Sequence, residues 1–495
     1  MKKTFLSICL AAAAALSLHA QDYTGTIYVT RNGNTSTETA TVTVSQQDNG
    51  LNTLLLRVPF MNMNLNLNMT DVPGATTGGI TTYSAERTVA TGTYLGNMYT
   101  IVFARVTDGM MAANVSIPAY GVTMWFNTVG DHFQLPNSDM EAWTGSNGEP
   151  DRWHGFKSAG GSFSSTSAGL VKLEQSDDVR SGATGYSAVM TANSIFGIVA
   201  NGTMTNGRLM AGSMFATDTK NHAEMDKANG TDEYYMPLYA KPDKFNVWLK
   251  YQQGTTNVNN QANVSVKTFD GTYYQEPTDK EYTNLSGSIV GGQIPASDWT
   301  HYSFPFDYDS YAANGASSEA IFVTFSTNGT PGQGAKDDAL YVDDMELVYL
   351  GNMTDLRYQG QTIDGWDPTV TTYSMETASE PSLDDFTATI EGASAVLTKS
   401  MEQNQDGSYR IAISVVSGDL QNATCYLINA TAAPAFIPGD VNDDGEVNIS
   451  DVTVLIDYLL SGTTSINQQA ADLDNSGKVE IGDATILIDK LLSGN

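Results

Sequence analysis

The C-terminal part of the chain contains two copies of one acidic sequence motif, and this duplication constrains the fold more than any other feature. The first copy begins at Asp440 and the second at Asp472, so equivalent residues lie 32 positions apart. Each copy has oxygen-bearing side chains at alternate positions, a glycine at the sixth position and an aspartate at the twelfth, followed by an apolar run. Such a regular repeat predicts two equivalent units that pack together.

The spacing of these oxygen atoms suits calcium. Calcium takes about six to eight oxygen ligands from a loop that turns sharply at its sixth residue, and Gly445 and Gly477 occupy that position. The sequence therefore predicts two calcium ions in the tail. The predicted ligands are loop positions 1, 3, 5, 7 (through its backbone carbonyl), 9 and 12: Asp440, Asn442, Asp444, Glu446, Asn448 and Asp451, then Asp472, Asp474, Ser476, Lys478, Glu480 and Asp483.

The tail is EF-hand-like but departs from an EF-hand in two ways. Pro438 and Gly439 leave no place for an entering helix, and position 12 is Asp instead of Glu. A duplicated loop-helix unit of this kind resembles a type I dockerin over Gly439 to Leu492. The resemblance implies docking onto a cohesin domain through loop positions 10 and 11, which are Ile449, Ser450, Ile481 and Gly482. The alternative is a calcium-stabilised cap without a partner.

The runs after the two loops are predicted to be short amphipathic helices that pack on each other and leave part of their apolar surface for a partner. Ser450 and Asp451 are predicted to cap the first helix. Eleven acidic residues from Asp440 onward face only Lys478 and Lys490. Without calcium, this repulsion is expected to unfold the tail.

Residues 1–20 are predicted to be a secretory signal peptide. Lys2 and Lys3 precede an apolar stretch from Phe5 to Leu18, and Ala20 is the expected last residue before cleavage. That stretch is too short for a membrane span, and no other run is apolar enough for one. We therefore expect a secreted, extracellular protein, attached to a cell surface only through a docking partner.

The charge of the chain limits its partners. Loss of Lys2 and Lys3 changes the formal net charge from −31 to −33, and such an acidic chain repels nucleic acid and anionic membranes. Cys9 lies in the leader, so Cys425 is left without a disulfide partner. Abundant Gly, Thr, Ser, Asn and Tyr, with no long helical pattern before the tail, predict a mainly β, multi-domain protein.

Residues 21–130 contain short runs in which apolar and polar side chains alternate. In the run from Phe60 to Met69, apolar residues take the odd positions and asparagines the even ones from Asn62 to Asn68, which predicts strands with one solvated face. The segment resembles calycin-like, lipocalin-related domains, and eight strands would close a small barrel. The methionines either line a pocket for a small apolar ligand or fill the core.

Residues 131–350 form the largest block. It opens with Leu135-Pro-Asn-Ser-Asp-Met-Glu-Ala-Trp143 and ends with Leu340-Tyr-Val-Asp-Asp-Met-Glu-Leu-Val-Tyr349. These motifs resemble the putative carbohydrate metabolism domain of gut anaerobes, which implies a jelly-roll sandwich similar to carbohydrate-binding modules, with its first and last segments adjacent.

That adjacency suggests a second metal site. By simple alternation, Asp343 is expected to point inward with Met345 and Leu347. A buried carboxylate needs a partner or a metal, so Asp343 is predicted to share a calcium ion with Asp139 or Glu141. The alternative is that these acids lie at strand ends in solvent.

Saccharide binding requires flat apolar side chains, and the most accessible candidate is Trp299, joined by Tyr234 and Tyr235. Trp143 and Trp248 are expected to be buried. Catalytic residues remain unknown, because no nucleophile elbow, HExxH zinc motif or phosphate loop is present. A hydrolase would need two carboxylates, and the candidates are Glu141, Glu224, Asp232, Glu233 and Asp298.

Residues 351–433 resemble a short immunoglobulin-like module, residues 434–439 form a linker, and residues 440–495 form the dockerin-like tail. Together these segments predict a glycan-associated protein that binds or helps process polysaccharide or oligosaccharide and docks to a cohesin-type partner. One alternative is a dockerin-bearing glycoside hydrolase, acting on O-glycosyl bonds, or a polysaccharide lyase. Another is an adhesin in which the calycin-like barrel binds the ligand. No organic cofactor is expected.

Overall fold

The computed structural model describes residues 20–31, 33–60, 63–77, 80–90, 97–107, 109–128, 133–195, 197–229, 232–255, 260–433 and 436–493. The predicted signal peptide lies outside these residues except for Ala20, which begins the first strand. The chain divides into two compact units: the first has residues up to 371 with 386–400 and 412–426, and the second has 372–385, 401–411 and 427–495. Within the described ranges, no helix is both long and apolar enough to span a bilayer.

The N-terminal segment is a barrel-like antiparallel sheet. Its strands are β1 Ala20–Arg31, β2 Asn34–Gln46, β3 Asn52–Phe60, β4 Met63–Val72, β5 Gly74–Thr77, β6 Ile80–Ala90, β7 Asn97–Thr107, β8 Met110–Ile117 and β9 Val122–Asn127. The order β4-β3-β2-β1-β9-β8-β7-β6-β5 places the first and last strands side by side. The described sheet therefore has nine strands, one more than the eight predicted.

The interior of this sheet is packed with apolar side chains. Ile27, Phe126 and Met124 are fully buried, and Leu67 and Met69 belong to the same cluster. Met69 therefore fills the core, which is one of the two alternatives predicted for the methionines. Met61 lies outside the described residues.

The central segment is a β-sandwich. Its strands are β10 Lys172–Ser176, β11 Ser187–Thr191, β12 Asn193–Ile195, β13 Ile198–Ala200, β14 Thr203–Thr205, β15 Arg208–Ala211, β16 Asn221–Met225, β17 Lys244–Gln252, β18 Ala262–Phe269, β19 Tyr274–Glu276, β20 Leu285–Ile289, β21 Gln293–Ile294, β22 Ser297–Asp307, β23 Ala320–Ser326 and β24 Ala339–Val348. A short helix, α1, spans Ser164–Ala168, and 3-10 turns span Pro118–Tyr120, Lys227–Asn229, Asp232–Tyr234 and Asp309–Asn314.

Two layers of strands form the sandwich. The main sheet runs β10-β11-β24-β17-β22-β20-β18-β23-β14, and β22 is shared because it pairs with β17 along most of its length and with β20 at its end. The ring of Phe325 on β23 lies 6.4 Å from that of Phe245 on β17 and 6.1 Å from that of Trp153. The interdigitating rings explain why alternate residues of these strands are apolar.

The opening segment lies beside the closing strand, as predicted. The side chain of Gln134 makes two hydrogen bonds of 2.7 Å to the backbone of Leu347 on β24, and the Met345 amide donates to the Ser138 carbonyl at 3.0 Å. The opening residues form turns and not a strand. These individual hydrogen bonds, and not a ladder between two strands, hold them against β24.

Buried polar contacts join the barrel to the rest of the first unit. Arg105 on β7 donates to the carbonyl oxygens of Gly418 at 2.8 Å and Tyr239 at 3.3 Å, and Asn114 on β8 donates to that of Leu420 at 2.9 Å. A buried guanidinium that lost these acceptors would be strongly destabilising. The barrel is therefore fixed within the unit by specific contacts.

The segment from 351 to 433 contains seven strands: β25 Asn352–Tyr358, β26 Gln361–Thr362, β27 Thr372–Thr377, β28 Phe386–Glu391, β29 Val396–Gln403, β30 Tyr409–Val416 and β31 Ala423–Ala432. A 3-10 turn spans Leu383–Asp385. In the first unit, β25 pairs with β26 and β28. In the second unit, β27 runs parallel to β31, with Thr372 opposite Leu427. Burial raises the pKa of the free Cys425 thiol to about 12, which disfavours the thiolate form.

The tail consists of two loops, each followed by a helix of 13 residues. The helices are α2 Ile449–Ser461, α3 Gln468–Ala471 and α4 Ile481–Ser493. Leu455 on α2 and Leu487 on α4 are fully buried in one core with Val441 and Ala471. The four-residue α3 precedes the second loop, and no helix of the described tail precedes the first, as Pro438 and Gly439 predicted.

Candidate functional site

The two loops of the tail have the same backbone geometry. Asp440 accepts hydrogen bonds from the amides of Asp444 at 3.0 Å and Gly445 at 2.9 Å, and Asp472 accepts from the equivalent Ser476 and Gly477 at 3.0 and 2.8 Å. Both glycines have positive φ, 87° and 80°, a conformation that glycine adopts without strain. The sharp turn predicted at the sixth position is therefore present in each loop.

The aspartate at position 12 is fully buried in each loop. Asp451 accepts from the Asn442 and Asn448 amides at 3.1 and 2.9 Å, and Asp483 accepts from those of Leu473 and Glu480 at 2.8 Å each. Among the described residues, neither carboxylate has a Lys, Arg or His within ion-pair distance. A buried charge without a cation is costly, so this environment favours a bound cation.

In the second loop three carboxylates converge. The oxygens of Asp472, Asp474 and Asp483 lie within 4.8 Å of one another, which is the hard oxygen set that calcium prefers. The first loop has Asn442 in place of Asp474. The residues of both loops therefore fit calcium, and Ser476, whose hydroxyl donates to the Lys478 carbonyl at 3.1 Å, is the weakest predicted ligand.

One predicted role shifts at the start of α2. Asn448 is the N-cap, since its side chain accepts from the Ser450 amide at 2.8 Å and Asp451 completes the capping box. The predicted cap therefore includes Asp451, but Asn448 and not Ser450 supplies its other half. The amide oxygen of Asn448 is thereby engaged by the helix terminus.

A cavity with a volume of about 630 Å³ lies in the central sandwich. Its floor is formed by three neighbouring strands, β14, β23 and β18. One row across them is Thr203, Ser326 and Asn263, and the next pairs Thr324 with Ser265. Inward residues between them, such as Phe325 and Val264, belong to the core. The floor is therefore a row of short hydroxyl and amide side chains.

The walls of the cavity are apolar. Phe163, which directly precedes α1, is partly exposed, and Met214, beyond β15, is 57% exposed. Ile198 on β13 and Phe156 also belong to the apolar lining, and Phe215, next to Met214 in the chain, is exposed. A polar floor between apolar walls is the usual composition of a small-molecule or saccharide site.

Two titratable side chains reach this cavity among the described lining residues. Glu276 accepts hydrogen bonds from Ser265 and Tyr274, both at 3.0 Å. His222 contacts the Thr219 carbonyl at 2.8 Å and the Glu224 carboxylate at 3.0 Å. The hydrogen bond from His222 lowers the pKa of Glu224, so this carboxylate stays ionised beside the ring.

None of the sequence-predicted platforms lines the cavity. Trp299 lies on β22 where this strand pairs with β17, in the layer opposite the cavity floor. Its indole N–H donates to the Asp178 carboxylate at 2.9 Å, and its ring meets that of Tyr341 edge-on. The ring of Tyr234 lies 4.5 Å from that of His154, and the Tyr235 hydroxyl points to the Glu319 carbonyl. The predictions that Trp143 and Trp248 are buried were wrong, because both are half-buried, Trp248 on the outer face of β17.

The comparison with protein families agrees with this geometry in two places. Residues 438–492 match the family model described as the Dockerin type I domain. The tail is a type I dockerin. Residues 123–348 match the model described as "Putative carbohydrate metabolism domain". Both predicted resemblances are therefore confirmed, whereas the calycin likeness of the barrel stays a prediction. No curated protein matches the chain.

Several solved structures align with the chain at low similarity. A putative glycoside hydrolase from Bacteroides thetaiotaomicron is 13% identical, with 58% of this chain and 86% of that chain covered and a TM-score of 0.34. A tandem CBM22 domain from Paenibacillus barcinonensis Xyn10C is 10% identical, with 66% and 92% covered and a TM-score of 0.21. These scores are too low for an argument about function.

The dockerin exposes the same apolar stripe on both helices. Ile449 on α2 and Ile481 on α4 are each 72% exposed, and Leu460 and Leu492 are 82% and 81% exposed. Ile456 and its equivalent Ile488 lie between them at helical spacing. Of the predicted contact residues, Ser450 is also exposed and Gly482 is half-buried. Contiguous exposed apolar side chains mark an interaction surface.

Asp343 of the second predicted metal site does not point in the predicted direction, and the site itself stays a prediction. On β24, Asp343 lies opposite Trp248 of β17, and Glu346 lies opposite Asn246 of β17. Between these pairs two residues of β24 oppose one residue of β17, and this bulge turns Asp343 to the outer face of the sheet, on the side of Trp248. It is buried there and bonds the Asp344 amide, while Glu141 accepts from the Tyr186 amide. Asp139 is tied only weakly, to the amide of Glu141 at 3.5 Å. The inward orientation predicted for Asp343 was wrong.

The charge of Asp343 provides a direct test of that site. Burial, followed by the Asp344 carboxylate, raises the pKa of Asp343 to about 7. The ionised form is thus disfavoured in the folded state, so stability falls as the pH rises from about 4 to about 7. We expect Asp343→Asn to stabilise the first unit at pH 8 by about 2–4 kcal/mol, measured by denaturant unfolding. A bound cation would be indicated instead if Asp343→Asn were destabilising and a chelator removed the difference in stability between the variant and the unmodified protein.

Proposed function

We propose that this protein binds a saccharide in the cavity of its central domain and docks to a cohesin-type partner through its dockerin. The observation that supports binding best is the cavity itself, in which hydroxyl and amide groups of Thr203, Asn263 and Ser326 lie between the apolar side chains of Phe163 and Met214. Sugar rings present C–H faces to apolar walls and hydroxyl groups to polar side chains. The proposed site therefore matches both surfaces of a pyranose.

The side chain of Asn263 is the strongest candidate for a direct contact. It is half-exposed on the floor, and no described residue forms a hydrogen bond with it. The neighbouring hydroxyls already have partners: Ser326 donates to the Asn328 carbonyl at 2.9 Å, and Ser265 donates to Glu276 at 3.0 Å. An amide with both donor and acceptor capacity can bind two hydroxyl groups of one sugar.

The cavity supports binding better than hydrolysis. Two-carboxylate glycoside hydrolysis needs an acid and a second carboxylate across the bond, but Glu276 is the one carboxylate among the described residues that line the cavity. The sequence candidates Glu141, Glu224, Glu233 and Asp298 do not line it, and the side chain of Asp232 lies outside the described residues. We therefore propose a binding domain, and the hydrolase, lyase and adhesin alternatives have no comparable structural support.

Calcium would hold the dockerin in its folded form. We propose two ions, one in each loop, with the ligand positions given above. The exposed stripes of α2 and α4 would then contact the cohesin-type partner, because Ile449 and Leu460 occupy the same face as their equivalents Ile481 and Leu492. An extracellular location agrees with this role and with the predicted signal peptide.

Alanine substitutions test the saccharide site. We expect Phe163→Ala and Asn263→Ala each to weaken binding of the full chain to its best polysaccharide by at least about tenfold, since each removes a contact worth about 1.4 kcal/mol. Trp299→Ala, outside the cavity, is the matched control and should bind normally. Affinity electrophoresis against a polysaccharide panel measures the effect. Loss of binding in Trp299→Ala alone would move the site to the opposite sheet.

A further inference from the structure

The lining of the central cavity carries very little charge, although the chain as a whole is strongly acidic. The described lining residues include no lysine or arginine, and their titratable side chains are Glu276 and His222. The floor is made of hydroxyl and amide groups, and the rest of the lining combines apolar side chains with neutral polar ones such as Thr166 and Asn221. A site built to hold a carboxylate or sulfate normally presents arginine or lysine to it.

Any positive charge on His222 is already paired with a carboxylate of the protein. Its Nε2 faces Glu224 at 3.0 Å, and the Tyr273 hydroxyl donates to the same carboxylate at 3.2 Å. The side chains of both His222 and Glu224 are mostly buried, 12% and 14% exposed. The pair is therefore held together and has no unmatched positive charge for a ligand.

The negative charge of Glu276 is only partly matched. Its nearest cation, Lys267, is 4.0 Å away, and its other contacts are the neutral hydroxyls of Ser265 and Tyr274. The surrounding chain adds a formal charge of −31. Like charges brought together at a partly desolvated site oppose binding, so an anionic ligand would meet net repulsion here.

We infer that the cavity selects an uncharged saccharide and discriminates against one that carries carboxylates or sulfates. This inference rests on the proposed saccharide function and adds the class of ligand. Recognition would come from hydrogen bonds to Asn263 and the hydroxyl rows and from contact of sugar C–H faces with Phe163 and Met214. Such binding depends weakly on ionic strength, because no ion pair forms.

A matched pair of ligands tests the inference with the full chain. Neutral glucan, mannan and galactan are compared with polygalacturonate, alginate and chondroitin sulfate. The best neutral binder is then oxidised selectively at its C6 hydroxyls to carboxylates. We expect oxidation to weaken binding by at least about tenfold, Glu276→Gln to recover part of the loss, and binding of the neutral polymer to stay nearly constant between low and high salt.

The outcomes separate this inference from the function on which it rests. Tighter binding of an anionic glycan, abolished by Asn263→Ala, would overturn the inference and leave saccharide binding in place. The same holds if oxidation leaves the affinity unchanged. Binding of no glycan of either class, or binding that both Asn263→Ala and Phe163→Ala leave intact, would overturn the proposed site and this inference together.

Discussion

Replacement of Asp483 by alanine is expected to remove one of two calcium-binding events and to unfold the second half of the dockerin. Asp483 is fully buried, accepts hydrogen bonds from Leu473 and Glu480, and belongs to the one converging carboxylate group found among the described residues. An ion that binds only the folded state at 1,000 times its Kd stabilises it by about 4 kcal/mol. The loss of this ion and of the hydrogen bonds should exceed the effect of any other single change in the tail.

Calorimetric titration of the calcium-free full chain measures this effect. The unmodified protein should bind two equivalents, and Asp483→Ala should bind one. Asp489→Ala on the same helix is the matched control, because Asp489 is exposed and lies beyond the loop. Two equivalents bound by Asp483→Ala would contradict the assignment of this residue as a ligand.

Simultaneous replacement of Leu460 and Leu492 by aspartate is expected to abolish docking, by about 1,000-fold or more. Each single replacement should reduce the affinity only about twofold, because the other helix presents an equal stripe with Ile449 or Ile481 exposed to the same extent. A carboxylate placed on an apolar contact surface loses its hydration without gaining a partner, and this opposes association.

The affinity for a panel of type I cohesins, measured by surface plasmon resonance in calcium, decides between the possible outcomes. Gln469→Asp adds the same charge at an exposed position of α3 outside the stripe and serves as the control. Near-complete loss in one single variant would show that only that helix docks. Unchanged affinity in the double variant would exclude the stripe as the contact surface.

The geometry of the two dockerin loops could be predicted from the sequence because it is local. All the oxygen atoms of one loop lie within twelve consecutive residues, and the turn depends on one glycine, Gly445 or Gly477. The burial of Leu455 and Leu487 and the exposure of Leu460 and Leu492 depend on how two helices pack. The sequence pattern indicated that the helices are apolar. It could not indicate which apolar side chains are buried in the core and which are exposed for a partner.

The cavity proposed as the saccharide site could not be predicted because its parts are far apart in the sequence. Thr203, Asn263 and Ser326 form one row only because β14, β23 and β18 are neighbours with a particular register. A local signal was nevertheless present. Asn263 and Ser265 alternate with Val264 and Val266, as expected for a strand whose second face is polar. The prediction chose aromatic residues instead and favoured Trp299. The indole N–H of Trp299 already donates a hydrogen bond to Asp178.

Asp343 shows a different limit of sequence patterns. Strict alternation along β24 placed it with Met345 and Leu347 in the core, but two residues of β24 oppose one residue of β17. A bulge adds one residue and reverses the face of everything on one side of it. Periodicity alone gives no sign of such an insertion, since the residues on both sides still alternate.

Co-sedimentation tests the central claim most directly, because the claim is that one chain links a polysaccharide to a docking partner. Full-length protein, a soluble cohesin and an insoluble neutral polysaccharide are mixed in calcium and centrifuged. We predict that the cohesin sediments only when this chain is present, and that a chelator releases the cohesin while the chain stays on the polysaccharide. Cohesin that stays bound in the chelator, or a chain that never sediments with any polysaccharide its cavity should accept, would contradict the account.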